Sequence, residues 1–156
     1  MIIILDTSIL GMVTTPKTSG EAEECKQWMF SLLARGARII TLTVCEYEVR
    51  RGLLLDSLSQ NRQVKGIDLL DQLEKVIEFL PLTTEVLRKG AQLWAESKFK
   101  GIPLTGEQRF DIDILICAHW HIIKQDFPSR YTVVATKNIK HIAQFAEADE
   151  WQNIKL

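Results

Sequence analysis

Met1-Ile2-Ile3-Ile4-Leu5-Asp6-Thr7-Ser8 opens the chain, and its reading decides how the rest is understood. The apolar run is far too short to span a membrane, but it suits a strand buried on both faces of a parallel sheet. A carboxylate follows at once. In open α/β sheets the ligand crevice lies beyond the carboxyl ends of the strands, so Asp6 leaves its strand where chemistry is usually done, with the hydroxyls of Thr7 and Ser8 beside it. An Asp in this place can also simply start the next helix. Whether other acids reach the same edge decides between the two.

Outward from that strand, apolar runs alternate with helical periodicity. Ala37 to Leu42 reads as a second buried strand, Tyr131 to Ala135 as a β-branched third, and Ile77 to Leu82 as a short one interrupted by Pro81, which cannot donate to a ladder. A last strand is expected around Ile154. The residues after Ser8 read as a polar loop through Thr14 to Lys17, and Ser19 is placed to cap a helix with acids in its first turns, stopped by Gly36. Thr43-Val44-Cys45-Glu46 has the form of a capping box that starts another helix, with Ser57 to Gln63 as its closing turn. Gly52 inside that helix costs about 1 kcal/mol relative to Ala and hints at close packing. A helix carrying Ile67, Leu70 and Leu73 follows, then one opened by Thr84-Glu85-Val86-Leu87. A loop over 101–108 leads to a largely apolar helix. The whole implies an α/β chain: a mostly parallel sheet with helices on both faces, in one domain over 1–156.

Composition narrows the class. With 156 residues, 46% hydrophobic and 25% charged, the chain matches a globular domain, and a net charge of −1 argues neither for nor against a polyanionic partner. Cys25, Cys45 and Cys117 are odd in number and far apart among apolar neighbours, which speaks against a disulfide framework or zinc site. No basic segment precedes the first apolar run, and no later run is long enough to span a bilayer. The expectation is a cytoplasmic protein without membrane insertion.

The acids sort by position. Asp6 ends the first strand, and Glu48 lies in the second turn of the helix after strand two, about 200 degrees around from Glu46. In Asp111-Ile112-Asp113, Asp111 is placed as the N-cap and Asp113 is left free in the first turn. Asn138 follows the Tyr131 strand. Hard oxygen ligands with two or three negative charges favour Mg²⁺ or Mn²⁺, which accept similar donors.

In this order and spacing, Leu5-Asp6-Thr7-Ser8, Glu48-Val49-Arg50-Arg51-Gly52, Asp113-Ile114-Leu115-Ile116-Cys117-Ala118 and Val134-Ala135-Thr136-Lys137-Asn138 resemble the PIN-domain ribonucleases. Within that family the likeness is to the VapC-type toxins of toxin-antitoxin pairs, over nearly the whole chain. The resemblance implies a PIN-like α/β/α fold and metal-dependent hydrolysis of RNA. By similarity Asp6, Glu48 and Asp113 are the metal ligands, and Asn138 stands where many relatives carry Asp, which leaves the choice between one and two metals open. It further implies a protein antitoxin and a homodimer. Thr7, Ser8, Asp111 and Thr136 are candidates to orient the carboxylates. Arg50, Arg51, Arg109, Lys137 and Lys140 are candidates to contact RNA phosphates.

Rival readings fit less well. A phosphorylation-switch receiver needs an acceptor Asp after a middle strand, and Leu80-Pro81-Leu82-Thr83 supplies none. An aspartyl phosphatase commonly wants a second Asp two residues after the first, where Ser8 stands. A PIN-like scaffold that binds a partner without catalysis is the main alternative. His119, His121 and His141 are set aside as metal ligands, since the first two sit two apart on one helix and share no face. Trp28, Trp94 and Trp120 fit a core or dimer surface better than a base-stacking platform.

Overall fold

A computed structural model of the chain describes residues 1–101 and 107–156, with side chains left out over 107–110. Five parallel strands form one sheet in the order β3-β2-β1-β4-β5: β1 (Ile2–Leu5), β2 (Arg38–Leu42), β3 (Glu78–Leu80), β4 (Thr132–Ala135) and β5 (Ala148–Asp149). β1 is central, with Leu5 in register with Thr41 on one side and Ala135 on the other. The chain builds outward from β1 through β2 to β3, then returns to lay β4 and β5 on the far side. The order therefore reverses between β1 and β4, and the crevice of such a sheet opens at that point.

Helices cover both faces in an α/β/α arrangement, so the strands read as unbroken apolar runs. Ile3, Ile4, Leu5, Val133 and Val134 expose no surface, and burying each side chain of this size contributes roughly 1.5–3 kcal/mol. The helices are α1 (Thr7–Val13), α2 (Glu21–Ala34), α3 (Thr43–Gln60), α4 (Lys65–Leu73), α5 (Thr84–Phe99), α6 (Glu107–Asp126) and α7 (Ile139–Ile142). All three cysteines are free and buried. Among the described residues no helix is long and apolar enough to cross a membrane.

Several local expectations are corrected. The residues after Ser8 form α1 rather than a loop, and Gly20, not Ser19, precedes α2 without a side-chain cap. The Thr43 capping box does not form: the Thr43 hydroxyl accepts the Leu82 amide at 3.2 Å, and Glu46 pairs with Arg50. α3 runs through Ser57 to Gln60 and ends at Asn61, whose left-handed backbone (φ 48°) closes it. Gly52 is exposed with nothing near enough to meet a Cβ; the close glycine is Gly90 on α5, where a Cβ would stand 3.1 Å from Leu115 Cδ2 on α6. Ile154 lies after β5, not in it, and its carbonyl accepts the Trp28 indole N–H at 2.9 Å. α6 already runs from Glu107, so Asp111 is an exposed interior residue rather than a cap, and Asp113 falls in the second turn. Most of the loop expected over 101–108 lies outside the described residues.

Candidate functional site

At the carboxyl end of β1 the two readings of Asp6 turn out to be compatible. Its Oδ1 accepts the Ile9 amide at 2.9 Å, which caps α1, and the Ser8 hydroxyl at 2.7 Å. Its Oδ2 accepts the Thr136 hydroxyl at 2.5 Å from the end of β4. A carboxylate has about four lone-pair sites, so these three bonds leave one open on Oδ2. Only 4% of Asp6 is exposed. Burial pushes its carboxyl up, against the pull of Thr136, Ser8 and the Ile9 amide.

The loop after β4 ties the switch point together. Thr136 Oγ1 accepts the Asn138 amide at 2.8 Å, and the Lys137 amide donates to Ser8 Oγ at 3.1 Å. The Asn138 side-chain nitrogen then donates to Asp113 Oδ2 at 2.9 Å. Hydrogen bonds thus run from the end of β1 through the β4 loop to α6.

Asp113 is pushed up to about 6, first by burial and further by the fields of Asp6 and Glu48, while the contact with His141 pulls the other way. The buried thiol of Cys45 is likewise raised by burial and by the fields of Asp6, Glu48 and Asp113. Asp6 and Glu48 therefore act on Asp113, and all three act on a common neighbour. Glu48 is the least constrained, with the Arg51 guanidinium 3.4 Å away. Among the described residues no three Asp, Glu, His or Cys side chains stand close enough together to hold an ion as they are placed. The donor set still fits a hard cation: it is all oxygen, carries excess negative charge and retains open lone pairs, and Mg²⁺ completes its shell with water.

Other expected residues divide. Ser8 and Thr136 support Asp6, but Thr7 Oγ1 is buried with no hydrogen-bond partner and bonds to no carboxylate. Asp111 instead lines an apolar groove with Leu87, Ala91, Trp94 and Leu115. Arg50 is held by Glu46 and by Asp71 at 2.5 Å, Arg51 also lies over the Tyr47 ring, and Lys137 pairs with Glu21 at 2.7 Å. Lys140 is exposed, and the Arg109 side chain lies outside the described residues. His141, set aside on sequence grounds, stands with Nδ1 at 3.4 Å from Asp113 Oδ2 and 3.1 Å from Asn138 Nδ2. Its three-residue spacing from Asn138 was the available signal.

Comparison at the sequence level finds no family profile and no curated relative that matches. Solved structures do match over nearly their full length. VapBC2 from Rickettsia felis, solved bound to a DNA fragment from its promoter, aligns with TM-score 0.68 at 19% identity, covering 97% of this chain and 99% of that one. VapBC-1 from nontypeable Haemophilus influenzae gives 0.65 at 14% identity, covering 98% and 100%. FitAcB from Neisseria gonorrhoeae gives 0.65 at 19% identity, covering 97% and 99%. The fold is the PIN-like one that the sequence resemblance implied.

Proposed function

We propose that the chain, read as one domain over 1–156, is a metal-dependent endoribonuclease and the toxin of a toxin-antitoxin pair acting in the cytoplasm. What supports this reading is that Asp113 lies within the fields of Asp6, at the switch point of a parallel sheet, and of Glu48, with the carboxyls of Asp6 and Asp113 both pushed up. Gathering like charges in a half-buried place costs stability unless a cation arrives. In this reading the three carboxylates hold Mg²⁺ or Mn²⁺. A cation there lowers the pKa of a water and offsets charge developing on a phosphodiester.

The chain's own residues supply the placement. Ser8, the Ile9 amide and Thr136 fix Asp6, leaving one lone pair for a ligand. Asn138 brings a neutral amide to Asp113, so the cluster carries three negative charges rather than four, which favours one cation over two. Arg51, Arg109, Lys137 and Lys140 contact the RNA phosphates. Arg50 is least suited, since two acids already hold it.

The similar VapBC and FitAcB structures support a protein antitoxin as partner. Leu55 and Leu58 of α3 and Leu87 and Trp94 of α5 are exposed and suit a homodimer contact. Sedimentation of monomer alone at high concentration would remove that part. The test of the activity is cleavage of a mixed structured and single-stranded RNA pool with Mg²⁺ or Mn²⁺, beside EDTA and Asp6→Asn. Metal-dependent cleavage lost in the variant is the expected result. Equal inactivity of both proteins would leave the partner-binding scaffold as the better reading.

A further inference from the structure

Asn138 occupies the N-cap position of α7, yet its side chain makes no capping bond. Asn is among the residues best suited to cap a helix, and a cap is typically worth about 1 kcal/mol. Something else has claimed this amide. Its nitrogen lies 2.9 Å from Asp113 Oδ2 and 3.1 Å from His141 Nδ1. A carboxylate oxygen next to an amide nitrogen accepts, which uses one of the two amide hydrogens. In the tautomer with its hydrogen on Nε2, Nδ1 accepts the second; in the other, Nδ1–H donates to Asp113 instead. Nδ1 also lies 3.4 Å from Asp113 Oδ2, so ring, amide and carboxylate form one triangle of close contacts.

We propose that His141 is a positioning residue: by accepting the second amide hydrogen of Asn138 at Nδ1, it locks that amide with its nitrogen on Asp113 and so fixes the Asp113 carboxylate at the acid edge. His141 reaches the amide because α7 returns it one turn later, its own backbone N–H bonding the Asn138 carbonyl at 3.1 Å. The consequence for cation binding rests on the function proposed above; the lock on the amide does not.

The test compares the full chain with His141→Phe, which keeps a ring but loses the acceptor, and His141→Asn, whose Oδ1 can take the place of Nδ1. In ¹⁵N-labelled protein, the Asn138 side-chain NH₂ signals, assigned by their loss in Asn138→Ser, should be shifted and slow to exchange with water in wild type and His141→Asn. They should move toward free-amide positions in His141→Phe. Calorimetric titration with Mn²⁺ should show His141→Phe binding roughly 10-fold more weakly or worse, and His141→Asn within about 3-fold of wild type, in line with supporting partners at other metal sites. Unchanged amide signals in His141→Phe would overturn the proposal. So would His141→Asn proving as defective as His141→Phe, because the ring rather than the acceptor would then matter. If wild type takes up no Mn²⁺, the metal reading fails, and the amide signals alone decide the role of His141.

Discussion

Two regions of this molecule bury ionisable groups, and they do so in opposite ways. At the acid edge, carboxylates crowd together and hydroxyls, amides and Asn138 hold them in place. Beside β2, His119 is 4% exposed with its Nε2 buried and unpartnered, in the wall of a cavity of about 200 Å³ that also includes Arg38, Leu80 and Phe127. Burial alone pushes His119 down to about 4, so at neutral pH it is an uncharged packing group. Asp113 is pushed up to about 6 and is ionised at neutral pH at the expense of stability. A perturbed group points to function when its neighbours share the perturbation and are wired together. His119 lacks both features.

The largest expected effect separates function from stability at the edge. Glu48→Gln and Asp113→Asn should each lower metal-dependent RNA cleavage by about 100-fold or more, as expected when a metal ligand is lost. Without metal at pH 7, Asp113→Asn should nevertheless unfold at higher urea, by an amount on the order of 2 kcal/mol, because the variant no longer holds a buried like charge. A less stable Asp113→Asn protein would mean that the edge is not under electrostatic strain.

The two regions also respond to pH with opposite sign. His119 falls from 6.5 unfolded to about 4 folded, so its packing contributes fully above pH 6.5 and is lost as pH falls toward 4. Asp113 rises from 3.8 to about 6, so its contribution is fully present below 3.8 and is lost as pH rises through 6. In metal-free wild type the two trends oppose each other between pH 4 and 6. Replacing His119 by Leu should reduce the loss of stability between pH 7 and pH 5 by about 2 kcal/mol, read from denaturant midpoints. Asp113→Asn should abolish the opposing gain.

Cation should change thermal stability on a similar scale. Saturation at about 100 times Kd should add about 2.7 kcal/mol in wild type and far less in Asp113→Asn, visible as a rise in Tm. At the bottom of the scale, Arg50→Ala should cost under about 1 kcal/mol, because its ion pairs with Glu46 and Asp71 are partly solvated. It should leave cleavage near wild type, whereas Arg51→Ala should weaken RNA binding.

The positions legible in the sequence were those tied to strand ends. An apolar run that stops at a carboxylate fixes where Asp6 emerges, and the helix leaving β2 carries Glu48, whereas Asp113 comes on α6, which follows α5 rather than a strand. Helix starts were less legible because several neighbouring residues can begin a helix equally well. Asp111 looked like a cap only until α6 was seen to run from Glu107. Thr43 had the chemistry of a cap, but the Leu82 amide, distant in sequence, claims its hydroxyl. His141 escaped notice because a four-residue helix has no periodicity to mark its faces, and its role depends on where Asp113 arrives from another element.

The most direct measurement is calorimetric titration of wild-type protein with Mn²⁺ at pH 6, repeated in buffers of different ionisation enthalpy. If the acid edge is one cation site, each chain takes up one ion and, because the carboxyls of Asp6 and Asp113 are both pushed up, releases protons on binding. Absence of binding would contradict the account. So would binding without proton release, which would place the ion away from Asp113.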